Sequence, residues 1–225
     1  TFLWSRNGTK IDLKDAAAEI DVQWPGVRLT ALRVPNAERT SADAGYNVAT
    51  QRWSAHLKLD ELHLEALGRE GVNLQLAAEG DAREALVSEF HLAQGGRVVT
   101  AQGALSLHDG KLRDVRMAAD WPTGTMKSKG NGAERAIGGW HLEADVTGLV
   151  QPLAVEVTGE LTGQNVALGK ETVSRVAIPV QAKADAGKIL VTTQPFALLG
   201  GQWQLSGQHK RFAETTQVSV VASGL

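Results

Sequence analysis

Alternation of apolar and polar residues with a period of two is the feature that most constrains the fold of this 225-residue chain. It is clearest at residues 72–79, 86–92, 142–146, 153–161 and 202–207. Successive side chains of a β-strand point to opposite faces, so each of these runs has one apolar face and one polar face. The pattern therefore predicts a series of half-buried strands, as in an antiparallel sheet.

Clusters of Gly, Asp and Asn separate these runs and predict hairpin turns at residues 79–81, 94–96, 108–110, 162–165, 186–188 and 199–201. Residues 35–45 and 122–139 are rich in turn-forming residues and are predicted to form long loops. A helix could begin at residues 81–84, but the alternation that follows favours a strand. We expect an all-β fold: a curled, mostly antiparallel sheet, forming a groove or an open sandwich, with hairpin connections.

The length suits a single β-rich domain spanning 1–225, and a subdivision into 1–70 and 71–225 is the alternative. The chain starts at Thr1, and Phe2, Leu3 and Trp4 are followed by Arg6, which suggests the end of a removed signal or anchor. We therefore expect a fragment of a longer, membrane-anchored protein.

Charge and composition exclude several classes of function. The formal net charge is −2, which disfavours nucleic acid as a partner, and the absence of Cys excludes disulfides and thiolate metal sites. The six histidines are scattered without ligand spacing, so no metal or cofactor is expected. Glu143, Asp145, Glu156 and Glu160 have the spacing of an ordinary solvated strand face, and no catalytic residues are assigned. The chain is expected not to be an enzyme.

The apolar face of such a sheet must be covered by a second sheet, by helices or by a ligand, and the sequence offers hardly any amphipathic helix. One candidate ligand is a lipid, because a strand of five or six residues spans about 17–20 Å, close to the length of one acyl chain. The predicted lipid-contacting residues are Leu74, Leu76, Phe90, Leu92, Leu105, Leu107, Val115, Met117, Leu142, Val146, Val155, Val157, Leu161, Trp203 and Leu205.

Three alternatives remain open for the same pattern. The apolar residues could form the closed core of a sandwich. The six tryptophans could stack on sugar rings in a carbohydrate-binding module. An exposed sheet edge could instead pair with another chain in a structural assembly module.

Residues 79–117 carry a repeated cadence in which a strand ends near Gly, a Gly-rich turn follows at Gly95 and Gly96, and the next strand contains Gly103, Leu105 and Leu107. Looser echoes occur at residues 155–163 and 196–207. This cadence resembles the AsmA/TamB-like family of β-groove envelope proteins.

The resemblance implies a periplasmic protein, tethered to the inner membrane through a segment absent here. Such a protein would carry phospholipid between membranes or support outer-membrane assembly, with envelope assembly or secretion proteins as further partners. A relative of the type II secretion N component is the other possibility that it implies.

Overall fold

A computed structural model describes residues 3–6, 9–12, 17–63, 70–127, 134–168, 171–210 and 215–224, and these residues contain strands and turns but no helix. The strands are β1 (Leu3–Arg6), β2 (Thr9–Asp12), β3 (Ala17–Gln23), β4 (Gly26–Arg33), β5 (Arg39–Asn47), β6 (Arg52–Leu62), β7 (Val72–Gly80), β8 (Glu84–Gln94), β9 (Arg97–Ser106), β10 (Lys111–Trp121), β11 (Gly124–Lys127), β12 (Glu134–Ile137), β13 (Gly139–Val150), β14 (Leu153–Leu168), β15 (Glu171–Asp185), β16 (Lys188–Thr193), β17 (Phe196–Leu198), β18 (Gly201–Lys210) and β19 (Thr215–Ser223).

Fifteen of these strands form one sheet in the order β17-β18-β16-β15-β14-β13-β10-β9-β8-β7-β6-β5-β4-β3, with β19 paired to β18. The strand pairs whose registers are described are antiparallel, most connections are hairpins, and the sheet does not close into a barrel. The β1–β2 and β11–β12 hairpins are two separate two-stranded sheets. The prediction of an open, antiparallel, all-β fold is confirmed.

Aspartate side chains hold several of the predicted hairpin turns. Asp81 Oδ1 accepts hydrogen bonds from the backbone N–H groups of Arg83 (2.7 Å) and Glu84 (3.1 Å) between β7 and β8. Asp185 Oδ1 likewise accepts hydrogen bonds from two backbone N–H groups in the turn between β15 and β16. These bonds favour the carboxylate over the acid, so they lower the pKa of Asp81. Asp and Asn occur at turns for this local bonding reason.

Two of the predicted irregular segments are strands instead. Residues 39–45 of the predicted 35–45 loop belong to β5, in which Ala42 and Ala44 lie opposite Leu57 and Ala55 of β6. The predicted turn at residues 162–165 lies inside the 16-residue strand β14. There Asn165 adopts a φ of 52°, a left-handed conformation that Asn tolerates, and the chain continues without reversing.

The predicted loop at 122–139 contains the β11–β12 hairpin, and residues 128–133 lie outside the described residues. The chain forms two compact units, residues 1–102 and 103–225, which divide within β9. Unit 2 contains a small core in which Val166, Val176, Ile178 and Phe196 are buried. Trp140, Leu161, Trp203 and Leu205 pack against it.

Candidate functional site

The strand register of unit 1 places its large apolar residues on one face. Leu74 of β7 lies between Leu59 of β6 and Leu92 of β8. Leu76 lies in the same way between Leu57 and Phe90. Directly opposed residues of an antiparallel pair share a face, so these six side chains form the apolar face of unit 1.

In unit 2 a continuous apolar row crosses seven neighbouring strands. Each member lies directly opposite the next one on the neighbouring strand. From β10 to β19 the members are Val115, Val146, Val157, Ala182, Val191, Gly207 and Val218. Seven strands at about 4.8 Å spacing extend roughly 29 Å. The row and the residues two positions along each strand define the apolar face of unit 2, which is long enough for an acyl chain.

This face is only partly covered. Along the row, Val146 is 9% exposed, Val191 is 41% exposed and Val218 is 72% exposed. Among the described residues, the main strand contacts within each unit run between neighbours of a sheet, with β12 against β14 and β15 against β17 as smaller contacts. No helix is present in the described residues to act as a lid. The apolar face of unit 2 is therefore covered by the protein's own residues near the Phe196 core and is accessible towards β19.

The structure places the predicted lipid-contacting residues as follows. Leu74, Leu76, Phe90 and Leu92 lie on the apolar face of unit 1, all half-buried. On the apolar face of unit 2 lie Val115, Met117, Leu142, Val146, Val155, Val157, Leu161, Trp203 and Leu205, of which Val146 alone is buried. Leu105 of β9 is half-buried, whereas Leu107 lies in the turn beyond β9 and is 47% exposed.

Several residues of the two faces were missed by the sequence analysis. Leu57 and Leu59 belong to a clear alternation in β6, in which Arg52, His56 and Lys58 point to the polar side. That signal was available in the sequence. In β15, by contrast, Pro179 interrupts the strand pattern around Ile178 and Val180, because proline cannot donate to a sheet ladder. Pro179 is accommodated just beyond the segment of β15 that pairs with β16.

The opposite face of each unit carries charged pairs. In unit 1 Arg28 Nη2 lies 2.7 Å from Asp43 Oδ2, and this hydrogen bond lowers the pKa of Asp43. In unit 2 His141 Nδ1 lies 2.6 Å from Asp120 Oδ1, and its Nε2 lies 3.2 Å from Glu143 Oε1. The hydrogen bonds to Asp120 and then to Glu143 raise the pKa of His141.

A cleft of about 720 Å³ lies in unit 1 near the turns of its hairpins. Its lining includes Glu79 of β7, which lies opposite Ser54 of β6 on one side and Leu86 of β8 on the other. All three residues belong to the polar face. Tyr46 and Trp53 also contribute to the lining. The Trp53 indole N–H donates to the carbonyl of Asp81 (3.2 Å), which fixes the ring against the turn.

Among the described residues, no group of three or more His, Asp or Glu side chains is arranged to hold a metal ion. The described part of the chain also contains no helix of the length and apolarity needed to cross a membrane. No protein-family model, curated protein or solved structure matches this chain.

Proposed function

We propose that this chain is a non-enzymatic lipid-binding module of the bacterial cell envelope. In this proposal its apolar strand faces contact phospholipid acyl chains during lipid transfer between membranes or during outer-membrane assembly. The observation that supports it best is the row from Val115 to Val218, which is apolar in all seven strands and becomes more exposed towards β19. In the closed core of a sandwich, a second sheet would instead pack on this face and bury such residues.

The energetics of acyl chains favour such a surface. Removing a chain from a bilayer into water costs about 0.8 kcal/mol per methylene, so a carrier needs continuous apolar lining more than specific polar contacts. Valine, leucine and alanine provide this lining in unit 2. The resemblance of the sequence cadence to AsmA/TamB-like proteins favours a periplasmic module whose parent protein is anchored at the inner membrane.

The test is lipid capture by the purified chain. The protein is incubated with vesicles of phosphatidylethanolamine and phosphatidylglycerol and re-isolated, and bound lipid is quantified by mass spectrometry. We expect Val191→Glu to reduce bound lipid at least about fivefold, since a carboxylate replaces an apolar contact worth roughly 1 kcal/mol. Val191 is already 41% exposed, so the new charge can stay hydrated and the fold should survive.

The matched control is Thr192→Glu, which adds the same charge at the next residue of β16, between Gln181 and Ser206 on the polar side. It should leave lipid capture unchanged. Wild-type protein that recovers no lipid, or equal losses in both variants, would reject the proposal.

The cleft of unit 1 supports a second candidate function, the binding of a saccharide. The residues that line its volume of about 720 Å³ include two aromatic residues, Tyr46 and Trp53, and three with hydrogen-bonding side chains, Arg28, Arg52 and Glu79. Aromatic rings beside convergent polar groups are the elements that sugar recognition needs. This candidate places the ligand in the cleft near the hairpin turns of unit 1 rather than along an apolar face.

A further inference from the structure

The β3–β4 and β5–β6 turns lie side by side at one end of unit 1. Residues 22–27 contain the first turn and residues 44–51 contain the second. Strands β4 and β5 are paired next to both turns, and the backbone N–H of Val48 donates to the carbonyl of Pro25 at 2.9 Å. The two segments therefore form one structural element, the hairpin tip of unit 1.

The hairpin tip exposes apolar side chains. Trp24 in the first turn is 80% exposed, the largest fraction among the large apolar residues described. Val22, Tyr46 and Val48 are exposed as well. Val22 and Tyr46 lie opposite Val27 on its two sides, so these three residues share one face of the sheet. Contiguous exposed apolar residues of this kind mark interaction surfaces.

The hairpin tip also carries little that would oppose its removal from water. Neither of its two segments contains an Asp, Glu, Lys, Arg or His residue. Pro25 has no N–H group, and the N–H of Val48 is already bonded to its carbonyl. The N–H of Thr50 donates to Asn47 Oδ1 at 3.0 Å. Charges and unpaired polar groups make desolvation costly, so this tip can leave bulk water at low cost.

We propose that the hairpin tip of unit 1 docks into the interfacial region of a lipid bilayer. Trp and Tyr favour this region because each combines an apolar ring with a polar N–H or O–H group. The other main-chain groups of the tip keep their contact with water and headgroups there, which the hydrocarbon core does not provide. Trp24 therefore stays at the level of the headgroups, away from the middle of the acyl chains.

A bilayer fits the hairpin tip better than a protein partner does. A stable protein interface uses about 20–30 residues a side, far more than the exposed apolar residues of the tip. A bilayer surface needs no matching shape. One myristoyl chain binds a membrane with a constant of about 10⁴ M⁻¹, and for the smaller tip we expect about 10³ M⁻¹. The docking does not depend on acyl-chain binding by the apolar faces.

Vesicle flotation measures the docking. The protein is mixed with vesicles of phosphatidylethanolamine and phosphatidylglycerol at about 0.1–5 mM lipid, which brackets the expected constant. Trp24→Ser should lower the binding constant at least about fivefold, because the largest exposed apolar side chain of the tip is lost. Leu199→Ser is the matched control, since it removes an exposed apolar residue from the β17–β18 turn of unit 2. It should bind as the wild type does.

A charge in the second turn tests whether both turns enter the interface. Ala49→Asp should also weaken binding at least about fivefold, because a carboxylate would have to leave bulk water. Ala186→Asp makes the same change at an exposed residue of the β15–β16 turn and should have no effect. Raising the salt from about 0.1 to 0.5 M should change wild-type binding less than about twofold, since the tip is uncharged. Val191→Glu should still dock, which separates docking from lipid capture.

A fluorescent label reports the docking directly, because the chain contains no cysteine of its own. Ala49→Cys and Ala186→Cys can each carry one nitrobenzoxadiazole group. On addition of vesicles the label at residue 49 should brighten and shift to shorter wavelength, whereas the label at residue 186 should not respond. Wild-type protein that does not float, equal weakening by Trp24→Ser and Leu199→Ser, binding that is lost at high salt, or equal responses of the two labels would each overturn the proposal.

Discussion

At the scale of single residues, His141 on the polar face is an ionisable group that contacts two carboxylates. His141 lies directly opposite Asp120 in the β10–β13 register and two residues before Glu143 on its own strand. Both ring nitrogens face a carboxylate, so the protonated imidazole can donate to both. Glu160 lies opposite Glu143 on β14 and adds a further negative charge on this face.

This arrangement predicts that the contribution of His141 to the free energy of unfolding depends on pH. Because the pKa of His141 is raised in the folded state, its stabilisation is fully present below the unfolded value of about 6.5 and is lost as pH rises through the folded pKa. His141→Gln should therefore lower the free energy of unfolding more at pH 6 than at pH 9. The side chain is 41% exposed, so the difference should stay below about 1 kcal/mol.

Urea denaturation of both proteins at the two pH values measures this difference. Asp120→Asn removes the shorter of the two contacts, and in that background the pH dependence of the His141→Gln effect should shrink. An effect of equal size at pH 6 and pH 9 would show that His141 stabilises the sheet without its charge.

At the scale of strands, alternation was a reliable guide because a strand with one covered face must alternate. It predicted the shared face of Leu74, Leu76, Phe90 and Leu92, which the register places in direct opposition. It failed for β5, where Ala42 and Ala44 are too small and weakly apolar to stand out from a loop. The partial exposure of the apolar faces could not be predicted from the sequence either, because a local pattern does not show what packs against a strand.

Two glycines on the apolar face of unit 2 make a contrasting pair. A Cβ at Gly159 of β14 would meet Ala144 Cβ of β13 at 2.6 Å and would also clash with the carbonyl of Glu143. A Cβ at Gly207 of β18 would meet its nearest neighbour, the carbonyl of Gln217, at an ordinary 3.8 Å. Gly159→Ala should therefore destabilise the protein by about 1–3 kcal/mol through overpacking. Gly207→Ala should be neutral or stabilising by up to about 1 kcal/mol.

Thermal and urea unfolding of the two alanine variants compare them under identical conditions. The pair controls for the loss of glycine flexibility, because both residues lie inside strands on the same face. Equal destabilisation by the two substitutions would mean that β13 and β14 do not approach as closely at Gly159 as the structure describes.

At the scale of the whole molecule, each unit has one apolar and one polar face, and the two candidate functions use different surfaces, the apolar faces and the cleft of unit 1. The tryptophans can report which face is occupied. Trp53 lies on the apolar side of β6, opposite Gly80, and also borders the cleft. Trp121 and Trp140 are opposed on the apolar face of unit 2, and Trp203 lies two residues from Leu205 on the same side.

These positions predict the outcome of fluorescence quenching. Phospholipids with brominated acyl chains should quench the emission of the protein if the chains occupy the apolar faces, because bromine quenches tryptophan only at near-contact distances. Trp203→Phe should lower the quenched fraction, since it removes a reporter from the apolar face of unit 2. Trp24→Phe serves as the comparison, because this 80% exposed residue lies at the β3–β4 turn.

Titration with soluble glycans under the same conditions separates the alternatives. A saccharide bound in the cleft should change emission through Trp53 in unit 1 and leave the response of Trp203 unaltered. Quenching by brominated chains without a glycan response would favour the acyl-chain carrier. A glycan response that Trp53→Phe abolishes, with no quenching by brominated lipid, would instead assign the ligand to the cleft of unit 1 and reject lipid binding.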